Sequence, residues 1–246
     1  EYSRISAEIC RLLYPEAEVH NAPFEKWLVE HYEQYAGQLA LVVTNPPYGV
    51  RGGNKTIDPD KSYREDVAYV YFIRRPFDML RAGGIGVAIV PRGFLSGTGP
   101  AAVRARASVL RRHHLICAYR LPSDIYPGAE IVTDVSFWRA RGGELPGILP
   151  EDQGILEGRY FDEFPEHVIG TEVTSARGRH AVKGAFTGLP KPIQRIQCQS
   201  CPVVPFIRPL QKQVRREETL SEDLQAAHQL GARIEHYFGL VGSQIG

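Results

Sequence analysis

Apolar residues recur at helical spacing in SRISAEICRLL, where Ile5, Ile9, Leu12 and Leu13 share one side and Tyr14-Pro15 stops the run. Residues 24–35 repeat the amphipathic pattern, and 18–20 suit a short strand. Residues 39–44 (LALVVT) are apolar almost throughout, as in a strand buried on both faces of a parallel sheet. Residues 65–81 read as helical through Val67, Tyr71 and Leu80; Pro76 is expected to kink or divide that helix, and Gly83-Gly84 to end it. A second buried strand follows at 85–90, closed by Pro91, and then a basic helix at 100–112. Residues 115–121 and 134–139 are two further strands with no helix between them, so they are expected to be antiparallel neighbours.

Helices alternating with buried strands predict a doubly wound α/β sheet. From Gly142 to about Pro209 glycine and proline are frequent and periodicity is poor, which predicts an irregular extension or linker. Helical spacing returns in LSEDLQAAHQLGARIEHYF, over residues 218–237. The organisation expected is a catalytic domain at 1–142, an irregular extension at 143–213 and a helical segment at 214–246.

The 246 residues suffice for one sizeable core, or one core with an appendage. A net charge of +1 carries no global polycation signal for nucleic acid. The densest basic stretch is Arg104, Arg106, Arg111, Arg112, His113 and His114, either a solvated helix face or a contact for DNA phosphates. Four cysteines do not make a disulfide framework, and no apolar run approaches the roughly 18 residues of a membrane span. A reduced, cytoplasmic setting without a membrane is expected. Cys198 and Cys201 form a lone CxxC with His180 as its nearest further ligand, and no metal is assigned.

The strand at 39–44 runs straight into Asn45-Pro46-Pro47-Tyr48. Two prolines there can donate nothing to a ladder, but they fix the direction of the carbonyls around them. In an open α/β sheet, ligands bind beyond the carboxyl ends of the strands. An exocyclic amine conjugated into a heteroaromatic ring is a poor nucleophile because its lone pair is delocalised. Acceptors on both of its N–H bonds would localise that pair: the side-chain carbonyl of Asn45 and the main-chain carbonyl of Pro46. Tyr48 offers a face for an extruded base, an interaction worth about 1–3 kcal/mol.

On these residues the sequence resembles the gamma-class N6-adenine DNA methyltransferases, which carry NPPY after the fourth strand of a Rossmann-like class I sheet. The stretches ISAEICRLLYPEAEV, NAPFE, VPRGFLSG, GAEIVTDVSFW and RYFDEFPEHVIG narrow the likeness to the methylase portion of phage and plasmid methyltransferase–helicase fusions. The resemblance implies restriction-modification chemistry with S-adenosyl-L-methionine as cofactor and DNA as substrate, within a larger polypeptide that includes a helicase. It implies that Asn45, Pro46, Pro47 and Tyr48 surround the target amine and that Tyr126 supplies a second stacking ring. Glu1 would meet the cofactor ribose, with Phe24 and Asn45 also on the cofactor side. The glycine-rich loop of the family, after its first strand, has no counterpart here, so an incomplete sheet lacking that strand is expected. Pro23 stands where the family often has an acid. Other readings of a similar tetrapeptide are an RNA or protein-glutamine N-methyltransferase, and a non-catalytic DNA-binding scaffold in a helicase-containing machine. The loop 49–66 lies beside the expected base pocket, with Arg51 and Lys55 as possible backbone contacts.

Overall fold

The computed structural model describes residues 1–126, 129–174 and 180–189. The expected helix at 218–237 and the pair Cys198 and Cys201 lie outside the described residues. Ser3 caps α1 (Arg4–Leu13) by accepting the Ser6 N–H, and Tyr14-Pro15 ends it as expected. Its apolar stripe is turned outward: Ile5 is 74% exposed and Leu12 82%, while Ala7 is buried. The helix α2 (Phe24–Tyr35) packs its Phe24 ring against Tyr71 and Phe72 of α3 (Ala68–Phe77).

Four strands form the main sheet: β1 (Leu39–Thr44), β2 (Leu80–Pro91), β3 (His113–Arg120) and β4 (Thr133–Ala140), in the order β1-β2-β4-β3. β1 and β2 are parallel; β4 runs antiparallel to both β2 and β3. The expected antiparallel pair is thus present, in an α/β structure whose sheet is mixed and mostly antiparallel. β1 is an edge strand, and none of its residues is fully buried, so the apolar run LALVVT overstated its burial.

Two expectations about the α3–β2 region are corrected. The helix starts only at Ala68, because Val67 bridges back to Val50 and the Asp66 carbonyl accepts the Arg51 N–H, and it ends at Phe77. Pro76 falls in its last turn, so the i→i−4 bond it cannot make is lost next to the helix end, and the helix stops one residue later instead of being divided. β2 begins at Leu80, paired with Leu39, so Gly83 and Gly84 lie within the strand. Further on, α4 (Gly93–Ser96) and α5 (Pro100–Leu110) return the chain to β3.

The larger core lies on one face of the sheet. Val70, Ile73 and Phe77 of α3 meet Ala88 and Val90 of β2, Val109 and Leu110 of α5, and Trp138 of β4. The intervening residues Val87 and Ile89 face the other side, into a smaller cluster with Leu121 and Val135. Gly86 shares the helix-facing side of β2, and a Cβ there would lie 2.5 Å from Cζ of Phe77. Its lack of a side chain is what lets α3 sit so close to the sheet.

The stretch after Gly142 contributes to this core despite its poor periodicity. α6 (Gln153–Glu157) and α7 (Tyr160–Glu163) supply Ile155, Tyr160 and Phe161. The Tyr160 hydroxyl accepts the Ala118 N–H in mid-strand at 2.8 Å. A separate hairpin, β5 (Thr171–Thr174) with β6 (His180–Lys183), follows.

Candidate active site

The parallel pairing of β1 with β2 brings both carboxyl ends out on one side of the sheet. Asn45 emerges there exposed, Pro46 is buried, Pro47 is exposed and Tyr48 is half-buried. This alternation follows from the extended path of the proline pair, which plants one ring in the protein and leaves the flanking carbonyls directed by fixed torsions. Among the described residues, neither the Asn45 carboxamide nor the Pro46 carbonyl has a hydrogen-bond partner. Tyr48 is set by edge contacts that run inward: to Tyr69 at 6.5 Å between ring centroids, from Tyr69 to Phe94 at 5.9 Å, and from Phe94 to Trp138 at 6.3 Å. Burial, with Tyr126 and Asp134 nearby, raises the Tyr48 phenol above its ordinary pKa, so it stays neutral.

The loop after Tyr48 is tied at its neck. Ala68 N–H donates to the Gly49 carbonyl at 2.8 Å, Arg51 N–H donates to Asp66 at 3.0 Å, and Val50 bridges Val67. The Arg51 side chain turns inward, donating to the Tyr63 carbonyl at 2.9 Å and pairing with buried Glu25 at 3.4 Å. Its guanidinium lies 3.4 Å from the centroid of Tyr71. Deeper in, Arg75 pairs with fully buried Asp58 at 2.9 Å, and the Tyr71 hydroxyl donates to the same carboxylate at 3.0 Å. Arg51 is therefore a structural clasp, not the expected DNA-backbone contact. Lys55 is exposed and paired with Asp66 at 2.6 Å.

The opposite wall comes from the end of β3. Arg120 is buried there and forks onto Asp134 at 2.9 and 3.2 Å, while also donating to Ser96 at 2.6 Å and Glu172 at 2.6 Å. Burial pushes Asp134 up to about 6, against the opposing pull of Arg120. The following loop folds back, with Ile131 N–H donating to the Ser123 carbonyl and Tyr126 bridging Ala129. Ser123 is clamped in turn by β6, exchanging hydrogen bonds with Val182 at 2.9 and 2.7 Å. Burial raises the Tyr126 phenol, and the adjacent Thr133 hydroxyl opposes that rise. Tyr48 and Tyr126, 78 positions apart in the chain, thus reach one neighbourhood.

Glu1 and Phe24 lie on adjoining segments. The Asn21 amide donates to the carbonyls of Glu1 and Tyr2, both at 3.1 Å, and the Glu1 main-chain nitrogen donates to the His20 carbonyl at 2.9 Å. One carboxylate oxygen of Glu1 accepts the Ser3 N–H at 2.8 Å, leaving the second without a described partner. Phe24 stacks on Trp27 at 6.1 Å.

The basic stretch disperses. Arg106 is fully buried and donates to the carbonyls of Phe94, Gly97 and Leu156; Arg112 pairs with Asp78, and both Arg111 and Arg112 with Glu144. His113 and His114 belong to β3. Among the described residues no three His, Cys, Asp or Glu side chains are grouped to hold a metal, and no helix is long and apolar enough to cross a membrane.

Residues 9–125 match the Eco57I restriction-modification methylase family. The Eco57I match takes in Phe24 and Asn45 to Tyr48 and stops one residue before Tyr126. Among curated proteins, Defense against restriction protein B of Escherichia phage P1 is 29% identical over 198 residues. That alignment covers 74% of this chain and 8% of the phage protein, so the chain spans under a tenth of its relative. Solved structures superpose in part. A type I restriction-enzyme modification subunit from Vibrio vulnificus YJ016 has a TM-score of 0.47 at 17% identity, over 75% of this chain and 46% of that one. The type I methyltransferase subunit from Streptococcus thermophilus has a TM-score of 0.45 at 19% identity, over 57% and 33%.

Proposed function

We propose that this chain carries the target-base side of an S-adenosyl-L-methionine-dependent DNA methyltransferase that modifies the N6 amino group of a flipped-out adenine. The observation that carries the reading is the pair of unengaged acceptors, the Asn45 carboxamide and the Pro46 carbonyl, at the end of β1 beside Tyr48. The Eco57I restriction-modification methylase match over residues 9–125 supports the same chemistry.

In this mechanism the adenine amine donates one N–H to Oδ1 of Asn45 and the other to the Pro46 carbonyl. Both bonds strengthen as the nitrogen moves from planar towards tetrahedral and gains positive charge, so they favour the transition state over the ground state. Pro47 keeps the Pro46 carbonyl aimed, which limits reorganisation during the reaction. Tyr48 and Tyr126 flank the base, and their raised pKa values keep both rings uncharged.

The cofactor, when bound, supplies an electrophilic methyl group. The residues present fit it: Glu1 keeps one carboxylate oxygen for ribose hydroxyls, and the neighbouring segment carries the Phe24 ring. Asn45 would lie at the junction of the two subsites. DNA is the proposed partner, within a larger polypeptide that includes a helicase.

The test is transfer of tritiated methyl from S-adenosyl-L-methionine to unmethylated DNA by the full-length protein. Label on adenine N6 that is lost in Asn45→Ala, with cofactor affinity within about threefold of wild type, is the expected result. Label on RNA or on a glutamine peptide instead would refute the substrate. Equal loss of cofactor binding and transfer would refute the role given to Asn45.

A further inference from the structure

We propose that Tyr69 is a positioning residue for the target base: it fixes the plane of the Tyr48 ring, the face on which the extruded base stacks. The inference rests on the DNA-methyltransferase reading and gives a role to a residue which that reading leaves without one.

The segments that carry the two tyrosines run antiparallel to one another. The Arg51 N–H donates to the Asp66 carbonyl at 3.0 Å, Val50 bridges Val67, and the Ala68 N–H donates to the Gly49 carbonyl at 2.8 Å. The next step along both segments sets Tyr48 opposite Tyr69. Their rings meet there, 6.5 Å apart between centroids and 86° apart in plane. The first turn of α3 thus holds the end of Asn45-Pro46-Pro47-Tyr48 twice, through the main chain at Gly49 and through the ring at Tyr48.

Among the described residues the Tyr48 hydroxyl makes no hydrogen bond, and its ring has no aromatic contact other than Tyr69. Tyr69 is itself anchored. Its ring stands at 79° to that of Phe94 at 5.9 Å, and Phe94 and the Trp138 behind it are both 0% exposed. The aromatic path from the sheet core to the stacking face therefore passes through this one half-buried side chain.

Perpendicular aromatic pairs are favoured because the positive edge of one ring meets the negative face of the other. Turning the Tyr48 ring about its side-chain bonds gives up that contact. Any rotational freedom left in the ring has to be removed when a base arrives, and this subtracts from the stacking energy. Tyr69 removes it beforehand. An aliphatic side chain would fill the space without selecting an angle. The Tyr69 hydroxyl has no hydrogen-bond partner among the described residues, so the role requires the ring and not the phenol.

The experiment uses the full-length protein and a duplex carrying 2-aminopurine at the adenine that the wild type labels, an analogue that is quenched when stacked and emits when unstacked. Tyr69→Leu is expected to brighten the bound duplex towards the level of Tyr48→Leu. It should also slow single-turnover methyl transfer to the unsubstituted duplex by about fivefold, with cofactor affinity unchanged. Tyr69→Phe should return both readouts to those of the wild type, and in a Tyr48→Leu background Tyr69→Leu should add nothing. Tyr69→Met keeps bulk against Phe94 and carries the same expectation in case Tyr69→Leu loses cofactor affinity through a disturbed fold. Emission as low as wild type in both Tyr69→Leu and Tyr69→Met, or losses that add to that of Tyr48→Leu, overturns the inference while the parent reading stands. Wild-type protein that labels no adenine overturns both.

Discussion

Asp58→Asn tests the clasp that fixes the loop next to Tyr48. Asp58 is 0% exposed and Arg75 4%, so the substitution strands a guanidinium away from water. The carboxylate accepts from Arg75 Nε at 2.9 Å, from the Tyr71 hydroxyl at 3.0 Å and from the Asp60 N–H at 3.0 Å. Asn keeps one acceptor but turns an NH2 group towards at least one of these donors. Leaving a buried charge without its partner typically costs about 3–5 kcal/mol. Arg75 is partly compensated, because it lies 4.1 Å from the centroid of Tyr32 and 4.3 Å from that of Tyr63. Desolvated cation–π contacts are worth up to about 2 kcal/mol, so the net loss is expected near 3 kcal/mol. Urea unfolding of the full-length protein reads it as a lower midpoint at constant m. Arg75→Met in the same background removes the stranded charge, and the double variant should be more stable than the sum of the single losses by at least about 1 kcal/mol. A single loss under about 1 kcal/mol, or strict additivity, would refute the reasoning.

Gly86→Ala should cost about 1–3 kcal/mol by pushing the new methyl into Phe77, and Phe77→Leu should recover part of it in the same unfolding assay. His113, lowered to about 3 by burial together with Arg112 and Arg141, binds its proton in the unfolded chain first. Its contribution to stability is therefore lost as pH falls below about 6.5, at about 1.4 kcal/mol per unit. Asp134, raised to about 6, works in the opposite sense, losing stability as pH rises from about 4 towards 6. His113→Leu should make the stability profile between pH 6 and 4 shallower on the acid side, measured by urea unfolding at each pH; an unchanged profile would refute the assignment.

The sequence was legible where local chemistry decides the outcome. Ser3 and Tyr14-Pro15 bound α1, and the proline pair marks the end of β1 at Asn45 to Tyr48. It was misleading where burial depends on neighbours distant in the chain. LALVVT reads as a buried strand but lies at an edge, and the apolar side of the first helix that Ile5 and Leu12 share faces outward. Charge misled for a related reason: Arg51 and Arg106 look like surface cations, yet each spends its donors on carbonyl oxygens contributed by other segments.

Arg120 joins Asp134 on β4, Ser96 on α4 and Glu172 on β5, and its guanidinium lies 3.9 Å from the centroid of Phe161 on α7. One side chain thus closes loops of very different length, the longest across 52 positions. The separate pieces at this end of the sheet cannot loosen one at a time, because any rotation of that guanidinium surrenders several bonds together. The consequence is cooperativity: the ends of β3, β4, α4 and β5 that Arg120 joins are expected to open together as one unit rather than piece by piece.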